Sequence, residues 1–150
     1  IRIRLILQNK KETISHRLFF YTFEIDSHSV KNNMEQLFKS ILNQDKAPIV
    51  VCDMDSIIVY MNPSAITRYK KDLTGKSLRN CHPASANEQI EKVLDWFGKN
   101  HENNIVYTFR NDDENKDVYM VALRDSAGNL IGYYEKHEYR TKETGKLYEI

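Results

Sequence analysis

The sequence predicts an α+β fold in which a five-stranded antiparallel sheet carries helices on one face, and three observations lead there. Two β-rich runs in the middle of the chain are divided by a turn-forming "DMDS". Three further strand-like runs close the chain, separated only by "DDENK" and "SAGN". Helical patterns lie between the two sets, and nothing supplies the long crossovers that an all-parallel sheet needs.

The totals set the limits. A chain of 150 residues holds one domain with a real core and is cramped for two. With 22 Lys/Arg against 21 Asp/Glu and 41% apolar residues, composition points neither to disorder nor to a dedicated polyanion-binding surface. Residues 1–33 carry six of the basic and three of the acidic side chains, so the front is mildly basic and the rest mildly acidic. Cys52 and Cys81 stand 29 positions apart, which is neither a disulfide framework nor zinc-site spacing. The longest apolar runs, "IIVYM" and "LFFYTF", fall far short of the ~18 to 20 residues of a membrane span, and no signal-peptide pattern opens the chain. A cytoplasmic protein with no membrane partner is the expectation.

Residues 1–33 alternate apolar and basic at Ile1-Arg2-Ile3-Arg4-Leu5 and run apolar from Leu18 to Ile25, so two strands are conceivable there. They are read as an N-terminal appendage of unassigned role. Met34 opens a clean helical pattern through Leu37, Phe38, Ile41 and Leu42, with Asn32 or Asn33 available as cap. A helix over 34–44 follows, and Met34 is a candidate natural start for a domain spanning 34–140, with 141–150 as a tail.

"APIVVCDMDSIIVYMN" reads as a hairpin of strands 48–53 and 57–62, because its aspartates favour a tight turn by bonding their own backbone. Pro63 cannot extend a strand but suits the first turn of a helix, and Asn62 before it can cap. Gly75 then turns the chain again. Ile90, Val93, Leu94 and Phe97 fall at i, i+3, i+4 and i+7 with Gly98 as a stop, which predicts a helix over 85–97. Ahead of it, Pro83 restricts the backbone and Ser85-x-x-Glu88 has capping-box spacing. The runs "NIVYTFRN", "DVYMVALRD" and "LIGYYEKHEYR" complete the sheet as a meander.

That order, together with "DMDSIIVYMNPSAI" and "ALRDSAGNLIGYYE", resembles a PAS domain over about residues 35–140. Asp53, Asp55, Ile58, Tyr60, Asn62 and Ala65 match the first hairpin's pattern, with Ser56 in place of the usual turn glycine, and Asp125, Gly128 and Gly132 match the last. The resemblance implies a sheet cupped by helices around an interior that holds a small molecule, with partners on the opposite face. On this reading Ile58, Tyr60 and Ile66, then Ile90, Leu94 and Phe97 of the long helix, then Tyr107 and Met120 line the cavity, with Cys81 and His82 near its mouth. A solid core filled by the same residues is the competing reading.

The chemistry of "SLRNCHPASANE" is weighed the same way. Some members of the family bind haem through a histidine in or near the long helix, which makes His82 the haem candidate, while His101 sits in the polar "GKNHENN" loop. Flavin photosensors of this fold use Gly-x-Asn-Cys. Here Cys81 lies six residues after Gly75 rather than three, and His82 and Pro83 replace the following Arg and Gln, so flavin is not expected.

No catalytic reading survives. Adjacent Cys81 and His82 lack the nucleophile-to-base geometry of covalent catalysis, and no glycine-rich phosphate loop appears. "DDEN" at 112–115 lacks the alternating ligands of a calcium loop and reads as a hairpin tip. The strand tyrosines are interleaved with Asp117, Asp125, Glu135 and Glu138, which argues against nucleic-acid stacking. The expectation is therefore a non-enzymatic sensory module. It binds a small apolar or amphipathic ligand, forms a homodimer through the 34–44 helix and the outer sheet face, and signals to a separate protein. A dimerisation adaptor with a filled core is the alternative.

Overall fold

The computed structural model describes residues 27–148, and the strands expected in 1–25 lie outside them. Helix α1 spans Ser27–Gln44. The apolar spacing extends one turn upstream from Met34 to Val30, so the helix passes through residue 34, and Asn32 and Asn33 are interior positions rather than caps.

Strands β1 (Ile49–Cys52) and β2 (Ile58–Met61) form the expected hairpin. Asp53 closes its turn by accepting from the amides of Asp55 and Ile57 at 3.0 and 2.9 Å. Ser56 takes the left-handed conformation, φ 61°, that favours glycine. It is fully buried, and the Tyr133 hydroxyl donates to its Oγ at 3.0 Å. Register matters here, because Val51 faces Tyr60 while Cys52 faces Ile58. The extra residue, Val59, is a bulge that shifts the alternation of β2.

Asn62 then anchors three elements. Its Oδ1 accepts from the amides of Ala65 and Ile49, both at 2.9 Å, while Nδ2 donates to the Ala47 carbonyl at 2.8 Å and, at longer range, to those of Leu42 and Asp45. Helix α2, Pro63–Tyr69, starts on that cap with proline in its first turn. Arg68 clasps Glu114 with two hydrogen bonds of 2.6 and 2.8 Å. This fixes α2 to the tip of the later hairpin.

After a 3₁₀ turn at Leu78–Cys81, helix α3 covers Ala84–Lys99. The Ser85 capping box does not form. The Pro83 carbonyl already accepts the amides of Ala86 and Asn87 at 3.0 and 3.1 Å, so the helix begins directly after the proline and Ser85 lies inside it. Nor does Gly98 end the helix. Arg124 instead donates from Nη2 to the carbonyls of Phe97, Asn100 and Asn103 at 2.8, 3.2 and 3.1 Å, which satisfies the C-terminal carbonyls without a left-handed glycine.

Strands β3 (Ile105–Asn111), β4 (Lys116–Arg124) and β5 (Leu130–Tyr139) form the meander. The sheet order is β2-β1-β5-β4-β3, with every neighbouring pair antiparallel. Early and late strands therefore meet in the centre. A Cβ on Gly132 would stand 2.5 Å from the Cys52 carbonyl oxygen, so β5 lies against β1 only because that position lacks a side chain. The core gathers on the inner face around Phe97, Ile58, Cys52, Met120 and Tyr133. The five-stranded antiparallel fold expected from the sequence is the fold observed.

Two outcomes test this account. Asn62→Ala is expected to lower unfolding stability in urea by about 3 kcal/mol, because it removes a helix cap and leaves buried amide groups unpaired; a loss below ~1 kcal/mol would show the node to be dispensable. Arg68 holds Glu114 down from its ordinary 4.5 to about 2. A depressed carboxylate stabilises the fold above its unfolded pKa and loses that contribution as pH falls through the folded one. Glu114→Gln should thus flatten the fall in melting temperature between pH 4.5 and about 2, and an unchanged slope would contradict the pairing.

Candidate functional site

Beneath α2, the 3₁₀ turn and the first half of α3, the inner face of the sheet leaves a partly enclosed cavity of about 160 Å³. Its floor is apolar, built from Val50, Cys52, Ile58, Met61 and Met120, and its roof carries Tyr69, Leu73, Leu78 and Ile90. Strand alternation explains the floor. Val50 and Cys52 share a face of β1, and the bulge at Val59 brings Met61 round to join Ile58. The roof is held by Asn87, which donates to the carbonyls of Arg79 and His82 at 3.0 and 3.4 Å, and by an Arg79–Glu91 ion pair.

Polar groups enter at Cys81, His82, Tyr133 and Glu135. The Tyr133 hydroxyl is committed to Ser56, and burial pushes its pKa up to about 12. Burial likewise raises the Cys52 thiol to about 11, which keeps it a protonated core residue. Cys81 is exposed, with Sγ 3.9 Å from the Ser77 carbonyl. His82 places Nδ1 3.1 Å from the Leu78 carbonyl. A carbonyl only accepts, so Nδ1 carries the proton and Nε2 is the nitrogen left for another partner.

Glu135 sits between Tyr133 and His137 on the inward side of β5. Its Oε1 accepts from Nε2 of the buried His137 at 2.5 Å. Glu135 keeps 37% of its side-chain surface accessible and lines the cavity. Burial works to raise its pKa, but the His137 hydrogen bond and the charges of His137, His82 and Lys116 outweigh it. The net effect holds the carboxyl below its ordinary value. Nδ1 of His137 is buried with no partner among the described residues.

Of the residues expected at the cavity, Ile58, Cys81, His82, Ile90 and Met120 line it. Ile66 and Leu94 pack against the core without reaching it, and Phe97, fully buried, is solid core. Tyr60 and Tyr107 stand elsewhere. The bulge in β2 turns Tyr60 toward α1, where its hydroxyl donates to Asn43 Oδ1 at 2.6 Å. Tyr107 pairs with Tyr119 on the outer face and donates to Asp117 at 2.8 Å. Glu135 was not foreseen, although its two-residue spacing from Tyr133 on β5 places both on one face.

Neither haem nor flavin fits these residues. His82 has the backbone partner that a ligating histidine wants. Yet about 160 Å³ is well under the ~300 to 1,000 Å³ of pockets that hold drug-sized molecules, and both ring systems are at least that large. His101 lies apart from the cavity, against Gly128. Among the described residues no group of three His, Cys, Asp or Glu side chains could hold a metal ion, and no helix is long and apolar enough to cross a membrane.

Residues 46–135 match the family model described as PAS domain. Among solved structures, a C-terminal domain from Streptococcus mutans is 26% identical with a TM-score of 0.56, over 70% of this chain and 84% of its own. The PAS domain of BvgS from Bordetella pertussis is 16% identical with a TM-score of 0.56, covering 74% of this chain and 89% of that one. A PAS domain from Colwellia psychrerythraea is 15% identical with a TM-score of 0.54, over 73% and 99% respectively. No curated protein matches the sequence.

Thiol accessibility checks the placement of the cavity wall. In the native protein a disulfide reagent is expected to label Cys81 rapidly and Cys52 only on unfolding. Fast double labelling would mean that the roof does not cover β1.

Proposed function

The chain belongs to the PAS domain family, and from that premise we propose that it is a sensory module that takes a small molecule into the cavity under α3 and signals through protein contacts. The observation that carries this reading is the cavity itself. It is apolar on floor and roof but tipped by an ionised Glu135 and by His82. A core serving only as scaffold gains nothing from a carboxylate there, since apolar replacement of buried ionic groups is often neutral or stabilising.

The signalling surface has its own support. Every residue from Val30 to Ile41 on α1 is exposed, and Val30, Met34, Leu37 and Ile41 follow the 4-3-4 spacing of a coiled-coil seam. A second copy of the same helix is the natural partner for such a seam, because a two-fold interface buries the same stripe on both chains. On the outer sheet face, Arg110 is engaged by Asp117 and Lys136 by Glu138. The cations beside the Tyr107–Tyr119 pair are thus already partnered, and the face suits a protein better than a nucleic acid.

The adaptor reading keeps α1 and leaves the cavity without a ligand. Comparing the native mass of the purified protein with its denatured mass separates the two. A small molecule retained in the native state supports sensing. Its absence, with no melting shift across fatty acids and small aromatics, supports the adaptor. Leu37→Glu, which puts a charge into the α1 seam, is expected to convert dimer to monomer by light scattering; a dimer that survives would exclude α1 as its interface.

A further inference from the structure

Glu135 gives the cavity a chemical preference. One oxygen, Oε1, is held by His137, and no donor among the described residues reaches Oε2. The surrounding walls are mostly Met and aliphatic side chains; besides His82, the hydrogen-bearing groups of the lining are the hydroxyls of Tyr69 and Tyr133, the latter committed to Ser56, and the thiols of Cys52 and Cys81. In its neutral form His82 keeps its proton on Nδ1, toward the Leu78 carbonyl, and offers Nε2 as a second acceptor on the same cavity. No Lys or Arg lines the space. The nearby cations are already engaged, Lys116 with Glu114 at 3.2 Å and Arg79 with Glu91.

A buried ionised carboxylate is tolerated when donors satisfy it, and a charge left half-satisfied in an apolar space favours a partner that brings both hydrogens and positive charge. An anionic ligand would meet the opposite, a like charge with no Lys or Arg on the cavity wall to offset it. Size narrows the choice further. The cavity of about 160 Å³ is comparable with the ~150 Å³ apolar cavity that admits one benzene ring.

Resting on the reading that this cavity takes a small molecule, we propose that its ligand is a small organic cation. It carries a primary ammonium group on a single ring or short chain, with the ammonium on Glu135 Oε2 and His82 Nε2 and the apolar part against Ile58, Ile90 and Met120. The ammonium has three hydrogens, enough for both acceptors, and it neutralises the one formal charge on the cavity wall.

The test uses the full chain with benzylamine, benzyl alcohol and benzoate as probes, measured by titration calorimetry and melting shift near neutral pH. Benzylamine is expected to bind at least tenfold more tightly than benzyl alcohol, with benzoate not binding. Glu135→Gln is expected to reduce benzylamine affinity at least tenfold and to reduce benzyl alcohol affinity by a smaller factor. Equal affinity for alcohol and amine, or a benzylamine affinity unmoved by the substitution, overturns the cation assignment while leaving a ligand cavity in place. Binding by none of the three overturns this inference, and if native mass is also empty the sensory reading goes with it. The ranking of the three probes on the unaltered protein decides the matter even if Glu135→Gln fails to fold.

Discussion

The side-chain amide of Asn62 is the constraint on which the arrangement rests. It is fully buried, and its hydrogen bonds reach the end of α1, the start of β1 and the first turn of α2. Only an amide presents an acceptor for two backbone amides and, on the same short stem, donors for nearby carbonyls. Aspartate would set negative charge against the carbonyls of Ala47 and Leu42, and alanine would strand all of these groups. Because Asn62 also makes backbone bonds to Ile49 and Ile66, the edge hairpin and α2 move as one piece. Tyr69, at the end of that helix, is thereby set as part of the cavity roof.

A second device recurs at two of the three hairpins, β1–β2 and β4–β5. Asp53 and Asp125 each use one carboxylate oxygen to accept the amides two and four residues on, from Asp55 and Ile57 and from Ala127 and Asn129. Each turn also needs a left-handed residue, Ser56 in one and Gly128 in the other. Serine is placed against its conformational preference where its hydroxyl receives Tyr133 across the centre of the sheet. The helix above is gripped unevenly. Arg124 clamps the C-terminal end of α3 and Phe97 fills the core there, whereas Ile90, nearer the N-terminal end, lies over open space. An occupant of the proposed kind would therefore meet α3 in its N-terminal half.

Much of this is legible in the sequence alone, and the exceptions share a cause. Asn62-Pro63, the aspartate turns and the α3 periodicity are local signals, carried by residues within one turn or one strand. Tyr60 was misplaced because a bulge depends on which strand pairs with which, and one inserted residue reverses every later side chain. Gly98 looked like a helix stop until Arg124, 26 positions later, supplied the donors. Glu135 obeys simple alternation with Tyr133, but a carboxylate suggests solvent unless the depth of its strand is known. The Ser85 box failed for a purely local reason, since the Pro83 carbonyl had already filled the role.

The proposed ligand, as small as this cavity admits, would also limit how such a module could work. Taking a two-state equilibrium from 1:99 to 99:1 requires a differential affinity of ~5.5 kcal/mol. A single hydrogen bond to a charged group contributes ~1.5 to 3 kcal/mol, a shift of roughly 10- to 150-fold. One contact at Glu135 thus falls short of an all-or-none switch. It suffices for a module whose arrangements are already near balance, where a tenfold bias moves most of the population. β5 suits such a bias, since Glu135 faces the cavity while its neighbours Tyr134 and Lys136 emerge on the outer face. Under the proposed function, a small displacement of that strand would be felt on both sides of the sheet without any long pathway between them.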